Sequence, residues 1–69
     1  VKALSGRELC RVLEAHGWQL RRIKGSHHVY SKAGNLARIS VPVHGSKDLK
    51  IGLLRHLLRL ADIDPAELE

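Results

Sequence analysis

Cysteine is nearly absent. Cys10 is the only one among 69 residues, so no disulfide framework can staple the chain internally. That fits a reducing compartment. Aromatic residues are as scarce, with Trp18 and Tyr30 alone and no phenylalanine. No apolar run approaches the ~20 residues that a bilayer-spanning helix needs. The first residues, Val1-Lys2-Ala3-Leu4, turn polar too soon to read as a signal peptide. Length itself is short: at 69 residues one compact domain, residues 1–69, is the expectation. Multi-part active sites on large α/β scaffolds are excluded, and a small core implies marginal stability.

Acidic residues are missing where it matters most. Residues 18–50 carry Arg21, Arg22, Lys24, Lys32, Arg38, Lys47 and Lys50 against Asp48 alone, a net +6. The flanks differ, at +1 for residues 1–17 and −2 for residues 51–69. The middle of the chain is where a polyanion such as a nucleic acid would be drawn. The bland alternative is an ordinary solvated surface.

Local signals order the chain. Ser5-Gly6-Arg7-Glu8 has the form of a capping box. Leu9, Val12, Leu13 and His16 follow helical spacing up to Gly17, which predicts a helix over about 6–16. Trp18–Ile23 loses that period and ends in Lys24-Gly25-Ser26, a turn signal. His27–Lys32 contains the strand formers Val29 and Tyr30, and Ala33-Gly34-Asn35 is a second turn. Leu36–Val43 alternates, with Ala37, Ile39, Val41 and Val43 on one side and Arg38 and Ser40 on the other. Pro42 marks its end or a sheet edge. A second helix is expected over Leu49–Leu60, with an apolar stripe of Ile51, Leu54, Leu58 and Ala61. Leu53, Leu57 and Leu60 broaden that stripe, and Arg55, His56 and Arg59 lie opposite. Asp62-Ile63-Asp64-Pro65 stops this helix, and Asp64 with Pro65 opens a short terminal turn. The fold class is α+β, in the order α-β-β-β-α. It comprises a three-stranded antiparallel sheet with two helices on one face, the layout of double-stranded-RNA-binding domains.

Chemistry concentrates in Lys24-Gly25-Ser26-His27-His28-Val29-Tyr30. Imidazole exchanges protons near neutrality, which suits a general acid or base. The Gly25-Ser26 backbone and Lys24 suit a phosphate. RNA carries its own nucleophile in the 2′-hydroxyl, so a ribonuclease can manage with proton transfer and charge stabilisation alone. The plain alternative for His27 and His28 is surface polarity or passive RNA contact. His44 could flank the site or be a loop residue. His56 could contact phosphate with Arg55 and Arg59. His16 reads as a packed helix-end residue. Tyr30 could stack on a base or pack the sheet. Cys10, His27, His28 and His44 lack the close spacing of zinc ligands, so no metal or cofactor is expected.

These residues carry a resemblance. Gly25-Ser26-His27, the preceding His16-Gly17-Trp18, the stretch Val41-Pro42-Val43-His44-Gly45-Ser46-Lys47-Asp48-Leu49 and Gly52-Leu53-Leu54-Arg55 occur in the order seen in the HicA family. The chain resembles those bacterial toxins, mRNA-cleaving ribonucleases of type II toxin–antitoxin systems, over nearly its whole length. The resemblance implies a cytoplasmic bacterial toxin that cleaves mRNA and is blocked by a HicB antitoxin, with any oligomer formed through that partner. The histidine matching the family's catalytic position is His27, with His28 as the alternative. Strand alternation points to His28: if Val29 faces the helices, His27 shares its side and His28 joins Tyr30 on the open face. Lys24, Gly25, Ser26, Arg22, His44, Lys47 and Lys50 are the expected RNA- and phosphate-binding residues. Two rival functions stay open, a double-stranded-RNA-binding module that does not cut and a protein-interaction domain using the leucine face of the second helix.

Overall fold

A computed structural model of the chain describes residues 2–68. Its first helix, α1 (Gly6–Ala15), starts where the capping box places it. The Ser5 hydroxyl accepts the Glu8 N–H at 3.1 Å, and the Glu8 carboxylate accepts the Ser5 N–H at 2.8 Å. That backbone hydrogen bond, joined by the Ser5 hydroxyl, holds the Glu8 carboxyl below its ordinary range. The box is therefore fully formed above the unfolded carboxyl pKa and weakens as pH falls through the folded one. At the other end Gly17 takes φ +91°. Its N–H donates to the Glu14 carbonyl at 3.2 Å, and the Trp18 N–H reaches the Leu13 carbonyl at 3.0 Å. This paired closure is a Schellman motif, and its apolar partners Leu13 and Trp18 are both buried.

Because the Trp18 N–H closes the helix, strand β1 (Gln19–Lys24) begins one residue later than its apolar pattern suggests. β2 (His27–Lys32) and β3 (Asn35–Pro42) follow, and the sheet is an antiparallel meander in the order β1-β2-β3. β3 ends at Pro42, and its alternation is realised: Ile39 and Val41 are fully buried while Arg38 and Ser40 are exposed. Tyr30 pairs with Ile39, and His28 with Val41, so these four share the face that the helices cover. Leu9 and Leu13 of α1, Leu54 and Leu58 of α2 (Ile51–Leu60), Tyr30 and Trp18 belong to one buried core cluster, each helix packing against β3. The Tyr30 hydroxyl donates to Glu14 at 2.7 Å. Burial, reinforced by hydrogen bonds to Cys10 and Glu14, pushes this phenol well above its ordinary pKa. Burial likewise raises the Cys10 thiol, so neither group offers an anion.

α2 starts at Ile51, not at Leu49, because the preceding segment is tied elsewhere. The Leu49 N–H bonds the Leu4 carbonyl at 2.8 Å, and Ser5 and Asp48 form an isolated β-bridge. The buried seam of α2 is Leu54, Leu57, Leu58 and Ala61, whereas Ile51, Leu53 and Leu60 are between 36% and 46% exposed. The wide apolar arc is thus only partly used by the core.

The α2 exit repeats the Schellman closure, with Asp62 N–H to Arg59 carbonyl at 3.1 Å and Ile63 N–H to Leu58 carbonyl at 3.0 Å. Here the left-handed position, φ +58°, is held by Asp62 instead of glycine. An L-residue is strained there, and a carboxylate faces the negative helix end. Asp62→Gly is therefore expected to raise stability by about 0.5–1 kcal/mol, a melting-temperature gain of a few degrees. Thermal denaturation checks this, and a lowered midpoint would contradict it. Beyond, Pro65–Leu68 forms a single 3₁₀ turn with the Asp64 carboxylate accepting the Ala66 N–H at 3.0 Å, as its sequence suggests.

Candidate active site

The β1–β2 connection is a two-residue hairpin. Gly25 at its first central position has φ +59°, while Ser26 stays at negative φ, the pattern of a type II′ turn. A side chain at Gly25 would meet nothing within 4 Å, so the backbone angle, not space, calls for glycine. The Ser26 carbonyl accepts the Val43 N–H at 2.7 Å, which anchors the turn to the end of β3.

His27 opens β2 directly after this turn. It lies opposite Lys24 on β1 and opposite Pro42 on β3. Its ring is exposed, and Nδ1 sits 3.2 Å from the Ser40 hydroxyl across the sheet. Since direct cross-strand partners share a face, Lys24, His27, Val29 and Ser40 all lie on the side away from the helices. The alternation argument that favoured His28 is thereby corrected. It assumed that Val29 packs inward, but Tyr30 does, and His28 goes with it to the helix side, half-buried beside Val41. Tyr30 is 1% exposed, so it packs the sheet and is not available to stack on a base.

A β-bulge enlarges the open face. Between Leu20 and Arg22 the register slips, and Arg21 and Arg22 together oppose Val29. In such a bulge both residues turn to the same side as the residue they oppose. Arg21 Nε donates to the Ser31 hydroxyl at 2.6 Å and lies over it, which explains why Ser31 is buried on an uncovered face. Arg38, next to inward Ile39, adds a further cation. Among the described residues the one ion pair is His16 with Glu67, at 3.5 Å. Arg21, Arg22, Lys24 and Arg38 are exposed and none of the described carboxylates pairs with them, so their field extends outward.

Around the edge from His27, a cleft between the end of β3 and the start of α2 is lined by Pro42, His44, Lys47, Asp48, Leu49, Lys50 and Leu53. Pro42 is also the register partner of His27. The candidate residues thus fall into two adjoining groups, Arg22-Lys24-Gly25-Ser26-His27 on the sheet and His44-Lys47-Lys50 in the cleft. Arg21 and Arg38 were not singled out from sequence. Both belong to the basic middle of the chain; the further signal for Arg21 was the irregular pattern of Trp18–Ile23, and for Arg38 its outward phase on β3. Arg55 and Arg59 lie apart, in a cleft with Asp62, Asp64 and Glu67 at the far end of α2. His16 caps α1, with Nδ1 2.9 Å from the Val12 carbonyl. The four residues weighed as zinc ligands are not brought together: Cys10 is on the buried side of α1, and His27 and His28 face opposite sides of the sheet. Among the described residues no helix is long and apolar enough to cross a membrane.

A family model described as HicA toxin of bacterial toxin–antitoxin matches residues 6–63, from the first residue of α1 through the closure of α2. No curated protein matches the chain. With the family model covering all the elements that build the sheet, its helices and the His27 face, the chain belongs to the HicA toxin family.

Proposed function

We propose that this toxin is a metal-independent endoribonuclease that cleaves mRNA through a histidine general acid/base, His27, and that a HicB antitoxin neutralises it. The observation that carries the proposal is an exposed imidazole at the rim of a sheet face whose cations pair with no carboxylate among the described residues. RNA phosphates neutralise those cations, and the backbone is drawn along the open face toward the hairpin. The 2′-hydroxyl next to the scissile phosphate loses its proton and attacks phosphorus, the bond to the 5′-oxygen breaks, and that oxygen gains a proton. The products are a 2′,3′-cyclic phosphate and a 5′-hydroxyl. His27 carries one of the two proton transfers, and His44, which lines a cleft with His27's register partner Pro42, is the candidate for the other. Lys24 and the Gly25-Ser26 backbone hold the phosphate. Arg22, Lys47 and Lys50 bind flanking phosphates, and Arg21 and Arg38, exposed on the same open face, join them. We read the chain as one domain whose antitoxin offers acidic residues to the same face, so that inhibitor and RNA compete.

The test is growth arrest on induction, reversed by co-expression of the antitoxin, together with cleavage of mRNA by the purified toxin in the presence of a chelator. RNA retention without cleavage would reduce the protein to a binding module.

The electrostatic part has its own readout. In the inactive His27→Ala background, the Arg21→Ala/Arg22→Ala pair is expected to weaken RNA binding and lower the slope of log affinity against log salt by roughly 1 to 1.5, since each single-strand phosphate contact contributes ~0.7. Fluorescence anisotropy across a salt series measures this, and an unchanged slope would remove the bulge from the RNA footprint.

A further inference from the structure

Among the described residues His27 is held on its open face by one polar side chain. Its direct partner on β3 is Pro42, which has no N–H and an apolar ring. Its partner on β1 is Lys24, whose ammonium has no acceptor to offer an imidazole N–H. Ser40, two residues before Pro42 and on the same face, supplies the hydroxyl 3.2 Å from Nδ1. An exposed imidazole without a partner turns freely, because its χ2 torsion is broad and roughly two-fold. Both nitrogens would then spend time facing the sheet.

We propose that Ser40 is the positioning residue of the site: its oxygen accepts the Nδ1–H of His27, which fixes the ring and leaves Nε2 as the nitrogen that exchanges protons with RNA. The proposal rests on His27 being the acid/base of the ribonuclease described above. The choice of a hydroxyl acceptor has a physical consequence. Nδ1 keeps its proton whether Nε2 is bare or protonated, so the Nδ1–H···Oγ bond survives both states of the ring. The imidazole can take a proton at Nε2 and give it up again without rearranging its support. A group able only to donate, such as an ammonium, in place of Ser40 would do the reverse, since it would hold Nδ1 unprotonated and put the proton on Nε2, where the base has to be bare. Ser40 has no other side-chain hydrogen bond among the described residues, so nothing in the sheet competes for its oxygen.

The tautomer can be read directly, with or without RNA cleavage. Long-range proton–nitrogen correlation spectra of the ¹⁵N-labelled protein at alkaline pH, where imidazole is neutral, report which nitrogen carries the proton. The expected result is Nδ1–H for His27 in the native chain and in Ser40→Thr, which keeps the hydroxyl. Ser40→Ala is expected to shift toward the Nε2–H form that an unrestrained imidazole favours in water. In parallel, Ser40→Ala is expected to lower kcat about tenfold, the scale of one ordinary hydrogen bond, with KM within about twofold and near-native rates in Ser40→Thr. Ser40 is exposed at the surface of the sheet, so the fold should tolerate both variants. An Nε2–H tautomer in the native chain, or a Ser40→Ala variant with unchanged tautomer and kcat, overturns the proposal. Failure of the native protein to cut RNA at all would overturn the ribonuclease reading, while the tautomer would still decide what Ser40 does.

Discussion

His27→Ala is expected to lower the rate of mRNA cleavage by about 10²- to 10⁴-fold, the usual contribution of a positioned acid/base group. The melting temperature should stay close to native, because the side chain is exposed and its one bond is to an exposed serine. His28→Ala should give the opposite profile. Its side chain is half-buried on the helix side, opposite the fully buried Val41, so its loss acts on packing and leaves the chemistry largely intact. Cleavage rates and melting curves of the two variants, taken together, separate a chemical role from a structural one. A His27→Ala protein that cuts RNA at the native rate would exclude the assignment. Loss of cleavage in His28→Ala at unchanged stability would move it by one residue and to the other face of the sheet.

A single methyl group is expected to have opposite effects in the two helices. Helix propensity alone says that glycine to alanine stabilises, by up to about 1 kcal/mol. Gly52 in α2 has nothing within 4 Å of where a Cβ would stand, so Gly52→Ala should follow propensity and raise the melting temperature. Gly6 opens α1 against the end of β3. A Cβ there would overlap the Pro42 carbonyl oxygen, with the Pro42 carbonyl carbon and the Val43 Cα each 3.1 Å away. These are backbone atoms, which a rotamer change cannot move. Overpacking costs ~1–3 kcal/mol, and here packing outweighs propensity. Total stability of a chain this size is roughly 3–10 kcal/mol. Gly6→Ala should therefore lower the midpoint by about 5–20 °C. The same contact anchors the strand end that carries Pro42, so RNA cleavage at moderate temperature should suffer before α1 itself unfolds. Thermal denaturation of both variants checks the pair, and a gain for Gly6→Ala would show that β3 and α1 are not in the contact described.

Much of this architecture was legible because it is written in local chemistry. Ser5 with Glu8, and Gly17 with the Leu13–Trp18 pair, bracket α1 through interactions within a few residues of one another. β3 was legible because a half-buried strand must alternate, and Ile39 and Val41 alternate with Arg38 and Ser40. What escaped depends on partners far away in sequence. Tyr30, not Val29, turns inward, into a core built by both helices and β3 with its hydroxyl on Glu14 of α1, and no periodicity within β2 contains that information. The choice carries His27 to one face and His28 to the other. The bulge at Arg21 has no residue signature, since the extra residue needs no special backbone, and it leaves only a broken pattern behind. The late start of α2 has the same origin, a backbone bond from Leu49 to Leu4 that its own helical pattern cannot foresee. The resemblance supplied the site motif, and the sheet register supplies its surroundings: Lys24, Pro42 and Ser40 around one imidazole.

End-group analysis of the cut RNA bears most directly on the central claim. The toxin, freed of antitoxin, is incubated with a defined mRNA in excess chelator, and the new termini are identified. Attack by the transcript's own 2′-hydroxyl predicts a 2′,3′-cyclic phosphate on one fragment and a 5′-hydroxyl on the other. Intact RNA, or fragments that begin with a 5′-phosphate, would contradict it.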